Sequence, residues 1–380
     1  MPSRRTMLKT AGVLAVALGT GGTRAAEAAP RAAPDTGKLQ AALDATAATA
    51  ASGVLAEVRG AGWVWRGAAG AAELGAARPV PVNGRFRAGS ITKSFVSTVV
   101  LQLVGDGRLG FDDPVERWLP GTVPAGDRIT LHDLLQHTSG IVNYTNTDEF
   151  RALYGTIDDI LSLRYRTWAP AELLAWAVGK PLLFEPGTSW TYSNTNYILL
   201  ALVIEKATGR PYAAEVERRI FRPLGLCDTA MPGADPDIAG PHPHGYLPDE
   251  QGGTVEPVDI TVFNPTVAGA AGQLITTTAD LNHFYRALLT GGLLRPAQLA
   301  QMRTALPTGR DFDYGLGLMT RLAADGTRLW GHTGDIFGYQ TECWTSEDGS
   351  RQLAVSACPW GADDLDDLLD DVRAAAFAVQ

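Results

Sequence analysis

The chain has 380 residues, 45% of them hydrophobic, and carries 32 lysines and arginines against 41 aspartates and glutamates, a net charge of −9. That acidic balance, with no basic cluster to neutralise phosphates, excludes a nucleic-acid partner. Three cysteines, Cys227, Cys343 and Cys358, are too few and too scattered for a disulfide framework or a zinc site, and are expected to be buried thiols.

Residues 1–28 read as an export leader. Arg4 and Arg5 precede the apolar run 11–18, and small residues follow at Ala26-Glu27-Ala28, where a signal peptidase would cut. The paired arginines fit the twin-arginine route and predict a secreted, extracellular protein. The run is far short of the ~20 residues needed to span a bilayer, so no stable membrane anchor is expected. Cleavage moves the net charge from −9 to −12. Roughly 350 residues remain at 29–380, enough for one large domain or two intimately packed ones.

An Ala-rich helix is expected at 36–51, followed by β-rich runs at 54–59 and 63–67 around a Gly-containing turn, which together read as a hairpin. Helical spacing begins at Ser90, with Val96, Val99, Val100 and Leu103 on one stripe to residue 104. The middle of the chain is helical and loop-rich, with patterns at 131–136, 171–178, 197–207 and 279–289. Pro241-His242-Pro243-His244 within it reads as a rigid exposed loop and not a metal site. Strand character returns at 328–331, 337–345 and 351–358, and an acidic amphipathic helix closes the chain at 362–378. Cys343 and Cys358 flank a turn on paired strands, but reflection through that turn sets Cys343 near residue 354, so the two thiols do not face each other.

Strands at both ends with helices between predict an α/β (α+β) fold. One antiparallel sheet is built from both termini and flanked by helices, with a mostly α-helical inserted lobe. The α/β lobe is expected at about 36–108 and 310–380, the helical lobe at about 109–309, and the active site between them.

Three patterns carry chemistry. In Ser90-Ile91-Thr92-Lys93, positions i and i+3 share a helix face, so the hydroxyl can meet the amine. A serine needs a base to take its proton, and a desolvated lysine can serve. The chain has only five lysines, and no other has a serine three residues before it. Second, Tyr192-Ser193-Asn194 sits where a loop runs into a helix. A phenol made easier to ionise by nearby cations could relay a proton, and Asn194 could hold Lys93 and a substrate amide. Tyr144-Thr145-Asn146 has the same spacing; Tyr144 is read as a cleft or packing residue. Third, His332-Thr333-Gly334 lies on a late strand. There Thr333 and Asp335 share a face, Gly334 admits substrate backbone, and the N–H groups of Ser90 and Asp335 would form an oxyanion hole. His137-Thr138-Ser139-Gly140 is read as a helix stop with a structural histidine.

Serine-x-x-lysine, tyrosine-x-asparagine and histidine-threonine-glycine, in this order, resemble the penicillin-binding and class C β-lactamase superfamily. The segments 86–95, 134–140 and 192–197 look like the secreted D-alanyl-D-alanine carboxypeptidases of actinomycetes, and the resemblance runs from about Lys38 to the last helix. It implies a β-lactamase/transpeptidase-like fold and acyl transfer without a cofactor or metal. Ser90 is the implied nucleophile, with proton transfer through Lys93 and Tyr192. His332 would maintain a positive field, and Thr333, Gly334, Asp335, Phe150 and Met319 would contact substrate. Implied partners are small D-amino-acid peptides, amides or esters, peptidoglycan-derived ones among them, and β-lactams as acylating inhibitors. A non-catalytic β-lactam binder would carry a broken motif, and none is broken.

Two positions depart from the carboxypeptidase pattern. Met319 follows Gly315-Leu316-Gly317-Leu318 where arginine is usual, and Asp335 stands where threonine follows histidine-threonine-glycine. A like charge ~4 Å away at an effective dielectric near 20 costs on the order of 4 kcal/mol, roughly a thousandfold, so a substrate carboxylate would be poorly received. The expected leaving side is neutral or cationic, unless Arg310 or Arg321 reaches the pocket.

Overall fold

The computed structural model describes residues 33–251, 254–360 and 365–378. The expected leader lies outside them. The described residues belong to one compact unit.

The strands, in chain order, are β1 (Ala51–Gly60), β2 (Trp63–Gly70), β3 (Phe86–Arg87), β4 (Tyr246–Gln251), β5 (Thr254–Asp259), β6 (Ile275–Thr276), β7 (Leu306–Pro307), β8 (Asp313–Tyr314), β9 (Met319–Leu322), β10 (Arg328–Ile336), β11 (Tyr339–Ser346) and β12 (Gln352–Pro359). Eight form one sheet in the order β2-β1-β12-β11-β10-β9-β8-β7, so the first hairpin joins the C-terminal strands through β1 and β12. Every pairing in it is antiparallel.

The sheet is buried on both faces, which explains why β1 and β12 read as nearly continuous apolar runs. Val54, Ala56 and Val58 pack with Leu39 and Leu43 of the helix Thr36–Thr49 and Leu369 and Val372 of the helix Leu365–Phe377. Leu55 points the other way, into the larger core containing Phe95 and Phe284. Glu57 shares Leu55's face; its carboxylate meets Arg59 and Arg66 and accepts from Asn282 Nδ2 at 3.1 Å. Asn282 lies on the helix Thr278–Leu289, so part of the middle segment covers the sheet itself.

The structure adds strands that the sequence pattern did not suggest. β7, β8 and β9 are two to four residues long, and the hairpin β4–β5 contains a proline in each strand, so none shows a usable alternation. Three sequence expectations are corrected. β10 runs on to Ile336, five residues beyond the expected 331. Cys227 is exposed, because it lies in the turn after the helix Arg222–Leu224, where Leu226 takes the buried position. In 241–244, Pro243 is buried with its carbonyl accepting from Tyr339 Oη at 3.0 Å, and His244 pairs with Asp259 at 2.7 Å. Cys343 and Cys358 are free buried thiols, and Cys343 lies opposite Ala354. No helix among the described residues is long and apolar enough to cross a membrane.

The helix Thr92–Gly105 is the core of the molecule, and its Phe95 stacks on Phe284 at 3.7 Å with no solvent exposure. Replacing Phe95 with alanine is expected to cost about 3–5 kcal/mol in urea unfolding, through lost transfer energy and the cavity left behind. A loss under ~1 kcal/mol would contradict this packing.

Candidate active site

Ser90 does not begin the long helix directly. It sits in a 3-10 turn, Gly89–Ile91, that runs into the helix Thr92–Gly105. Two neighbours fix this turn. Leu274, next to β6, accepts from Ala88 N–H at 2.8 Å and donates to Thr92 Oγ1 at 3.0 Å. On the other side β10 passes so close that a Cβ on Gly334 would lie 2.0 Å from Ala88 O and 3.0 Å from Ser90 N. Gly89 takes φ +50, and a Cβ there would meet Asp335 N at 2.8 Å. Only glycines at both positions let the strand and the turn touch. The peptide groups of Ser90 and Asp335 are thereby neighbours.

Lys93, one turn on, has no solvent exposure. Its Nζ lies 2.8 Å from Ser90 Oγ and donates to Ala271 O at 2.7 Å. It also lies 4.8 Å from the ring centre of Tyr192 and 5.6 Å from that of Tyr197. Burial pulls the amine well below the ordinary lysine value, and nearby Asp335 opposes this only in part. The Tyr192 phenol is shifted upward, chiefly by burial, with its contact to Ser90 opposing. The site therefore pairs a readily uncharged amine with a protonated phenol. The sequence-based idea of a phenol made easier to ionise by cations is overturned.

His332 requires the same correction. It is fully buried and pulled to about 3, first by burial and then by Lys93. Its Nδ1–H donates to Thr333 O, which leaves Nε2 to accept from Tyr314 Oη at 3.0 Å. It is neutral and supplies no positive field. Asn194 does not hold Lys93: among the described residues its Nδ2 donates to Thr145 Oγ1 at 3.4 Å, and the second bond of the amine goes to Ala271.

Two cavities meet at Ser90. One, of about 470 Å³, is mainly apolar and is lined by Phe150, Tyr144, Val267, Ile336, Phe337 and Leu247 as well as Asn194 and Asp335. The hairpin β4–β5 supplies Leu247 to its wall. The other, of about 450 Å³, is polar and contains Tyr192, Thr333, Asp335, Met319, Trp190 and Arg310. Met319 Sδ accepts from Thr333 Oγ1 at 3.7 Å, so the position that could carry a cation carries a thioether. Arg310 enters this cavity over Trp190, at 5.9 Å from its ring centre. Arg321 does not; it pairs with Asp311 at 3.0 Å.

Seven candidates, Ser90, Tyr192, Asn194, Thr333, Asp335, Phe150 and Met319, thus line the two cavities, while Lys93 is bonded to Ser90 Oγ, Gly334 packs against the serine turn and His332 is buried. Sequence reasoning missed Trp190, Ile336 and Phe337 and left open whether Arg310 or Arg321 would reach the pocket; Trp190 lies on a loop, Ile336 ends β10 and Phe337 is in the turn after it, and none belongs to one of the three motifs. Tyr144 lines the apolar cavity with its hydroxyl donated to Val267 O at 2.7 Å.

The β-lactamase family profile matches residues 39–369. A D-stereospecific amidohydrolase from a Streptomyces species is 40% identical, with a TM-score of 0.83 over 91% of this chain and 99% of that one. D-amino acid amidase from Ochrobactrum anthropi SV3, crystallised with L-phenylalanine amide, is 27% identical, with a TM-score of 0.77 over 90% and 97%. Penicillin-binding protein 4* of Bacillus subtilis (strain 168) is 31% identical over 291 residues, 72% of this chain. The match spans 60% of the length of that curated relative.

The depressed His332 value has a consequence for stability. The unfolded histidine, near its ordinary value of about 6.5, takes up a proton that the folded one refuses. Its contribution is therefore complete above about pH 6.5 and is lost as pH falls toward about 3. His332→Gln is expected to flatten the fall in urea midpoint over that window relative to the parent. An unchanged slope would show that His332 takes up its proton equally in the folded and unfolded states, contrary to the depressed value.

Proposed function

The chain belongs to the β-lactamase family of serine hydrolases, and from that premise we propose that it hydrolyses amide or ester bonds of D-configured amino-acid substrates with an uncharged or cationic leaving side. The observation that carries this reading is the placement of Met319 and Asp335 in the polar cavity beside Ser90. A leaving group ending in a carboxylate would meet a carboxylate there and find a thioether instead of a guanidinium. The preference for D configuration is supported by the relatives named as D-stereospecific amidohydrolase and D-amino acid amidase.

Ser90 O–H passes its proton to the uncharged Lys93 amine 2.8 Å away as Oγ attacks the carbonyl carbon. The oxyanion forms against the N–H groups of Ser90 and Asp335. The Lys93 proton then reaches the leaving nitrogen or oxygen through the protonated Tyr192 phenol, and water resolves the acyl-enzyme by the reverse route. Phe150, Ile336 and Phe337 receive a large apolar side chain on the acyl side, and Asn194 meets the acyl portion of the substrate. Thr333 binds the leaving side. β-Lactams acylate the same serine. The twin-arginine leader would deliver this activity outside the cell, where peptidoglycan fragments are among the D-amino-acid compounds available.

One observation favours the carboxypeptidase reading: Arg310 enters the leaving-side cavity and could meet a carboxylate. Comparing acyl-D-Ala-D-Ala with its C-terminal amide separates the two. The amide is expected to have a kcat/KM higher by about tenfold or more, a difference of ~1.4 kcal/mol. The double variant Met319→Arg, Asp335→Thr should narrow or reverse that preference. A tenfold preference for the free acid, lost in Arg310→Ala, would establish the carboxypeptidase instead.

A further inference from the structure

His137 ends the helix Leu131–Gln136 in the left-handed region, at φ 63 and ψ 33, and has no solvent exposure. A histidine there is uncommon, and a helix stop alone would be served by glycine. Its surroundings explain the choice. Asn196 Oδ1 accepts from Ser139 Oγ at 2.8 Å, which turns Asn196 Nδ2 toward His137 Nδ1 at 3.2 Å. The backbone N–H of Ser193 donates to the same Nδ1, also at 3.2 Å. With two donors aimed at Nδ1, the proton resides on Nε2, which has no hydrogen-bond partner among the described residues.

The ring packs 4.3 Å from the ring centre of Tyr192 and 4.9 Å from that of Tyr314. The backbone carbonyl of His137 accepts from Thr191 N–H at 3.1 Å. One residue therefore binds the N–H groups of Thr191 and Ser193, the residues on either side of Tyr192, and packs on the phenol ring between them.

We propose that His137 is a positioning residue that fixes the Tyr192 phenol where a proton must pass between Lys93 and the leaving group. This rests on the reading of Ser90, Lys93 and Tyr192 as the acylating site. Nδ1 acts as the acceptor that sets the Tyr192–Ser193 backbone, and the ring acts as the wall that sets the phenol.

Two variants separate the acceptor from the ring. His137→Asn keeps an acceptor at the Nδ1 position and tolerates the left-handed backbone; His137→Phe keeps a ring and loses the acceptor. The probe is an acyl-D-amino-acid p-nitroanilide, whose leaving side carries no carboxylate, with single-turnover acylation resolved into a non-covalent Kd and a first-order rate constant. The rate constant is expected to fall roughly a hundredfold in His137→Phe, since a shift of ~1 Å costs that much, and to recover to within about tenfold of the parent in His137→Asn, with Kd little changed in both. Acylation by His137→Phe at the parent rate overturns the proposal, and so does an equal fall in both variants. If the Phe protein does not fold, the Asn protein carries the test. A fall beyond about a hundredfold, in a protein melting within a few degrees of the parent, contradicts it. Absence of any Ser90-dependent amide or ester cleavage in the parent, judged against Ser90→Ala, overturns the reading of the site itself.

Discussion

A lysine amine is normally kept in water because an unpaired buried charge costs several kcal/mol. Lys93 is fully enclosed, and the groups around it are a serine hydroxyl, a backbone carbonyl and two phenol faces. None of these carries a negative charge, and nearby Asp335 offsets the burial only in part, so the amine is held well below the ordinary lysine value and gives up its proton more readily. Much of the surrounding architecture serves that enclosure. The segment before β6 supplies Ala271 O, the helix Asn194–Thr208 supplies Tyr197, and the loop before it supplies Tyr192. His332 sits behind it in neutral form.

The enclosure explains how one serine can serve two cavities. Gly89 and Gly334 let β10 press against the serine turn, bringing the Asp335 peptide beside that of Ser90. The strand continues into Ile336 and the turn to Phe337, which form part of the apolar cavity, while Thr333 faces the polar one. Asp335 borders both. On the proposed reading, a carboxylate at that point favours substrates without negative charge near the scissile bond, and Arg310 at Trp190 adds a cation to the polar cavity. A free carboxylate would thus meet charges of both signs in the polar cavity.

Much of this was legible in the sequence. The spacing of Ser90 and Lys93 predicts their contact because the 3-10 turn and the helix that follows keep i and i+3 on one side. The two-ended sheet follows from strand patterns at 54–67 and 328–358. Charge states were not legible, because they depend on burial set by remote segments: His332 reads as a cation in sequence and is neutral when enclosed. Arg310 and Arg321 are indistinguishable as letters, yet one enters the cavity and the other pairs with Asp311. His137 was visible as a helix stop. Its hold on Tyr192 depends on Asn196 and Ser193, more than fifty residues away.

The state of the Lys93 amine can be read by heteronuclear NMR. With ¹⁵N-labelled lysine, and Lys93→Met to assign the signal, the Nζ resonance is followed against pH. The enclosure described above predicts that Lys93 loses its proton at a pH well below the ordinary lysine value of about 10.4. Titration at or above that value would mean that the amine is charged at neutral pH, and would contradict its proposed role as the base that activates Ser90.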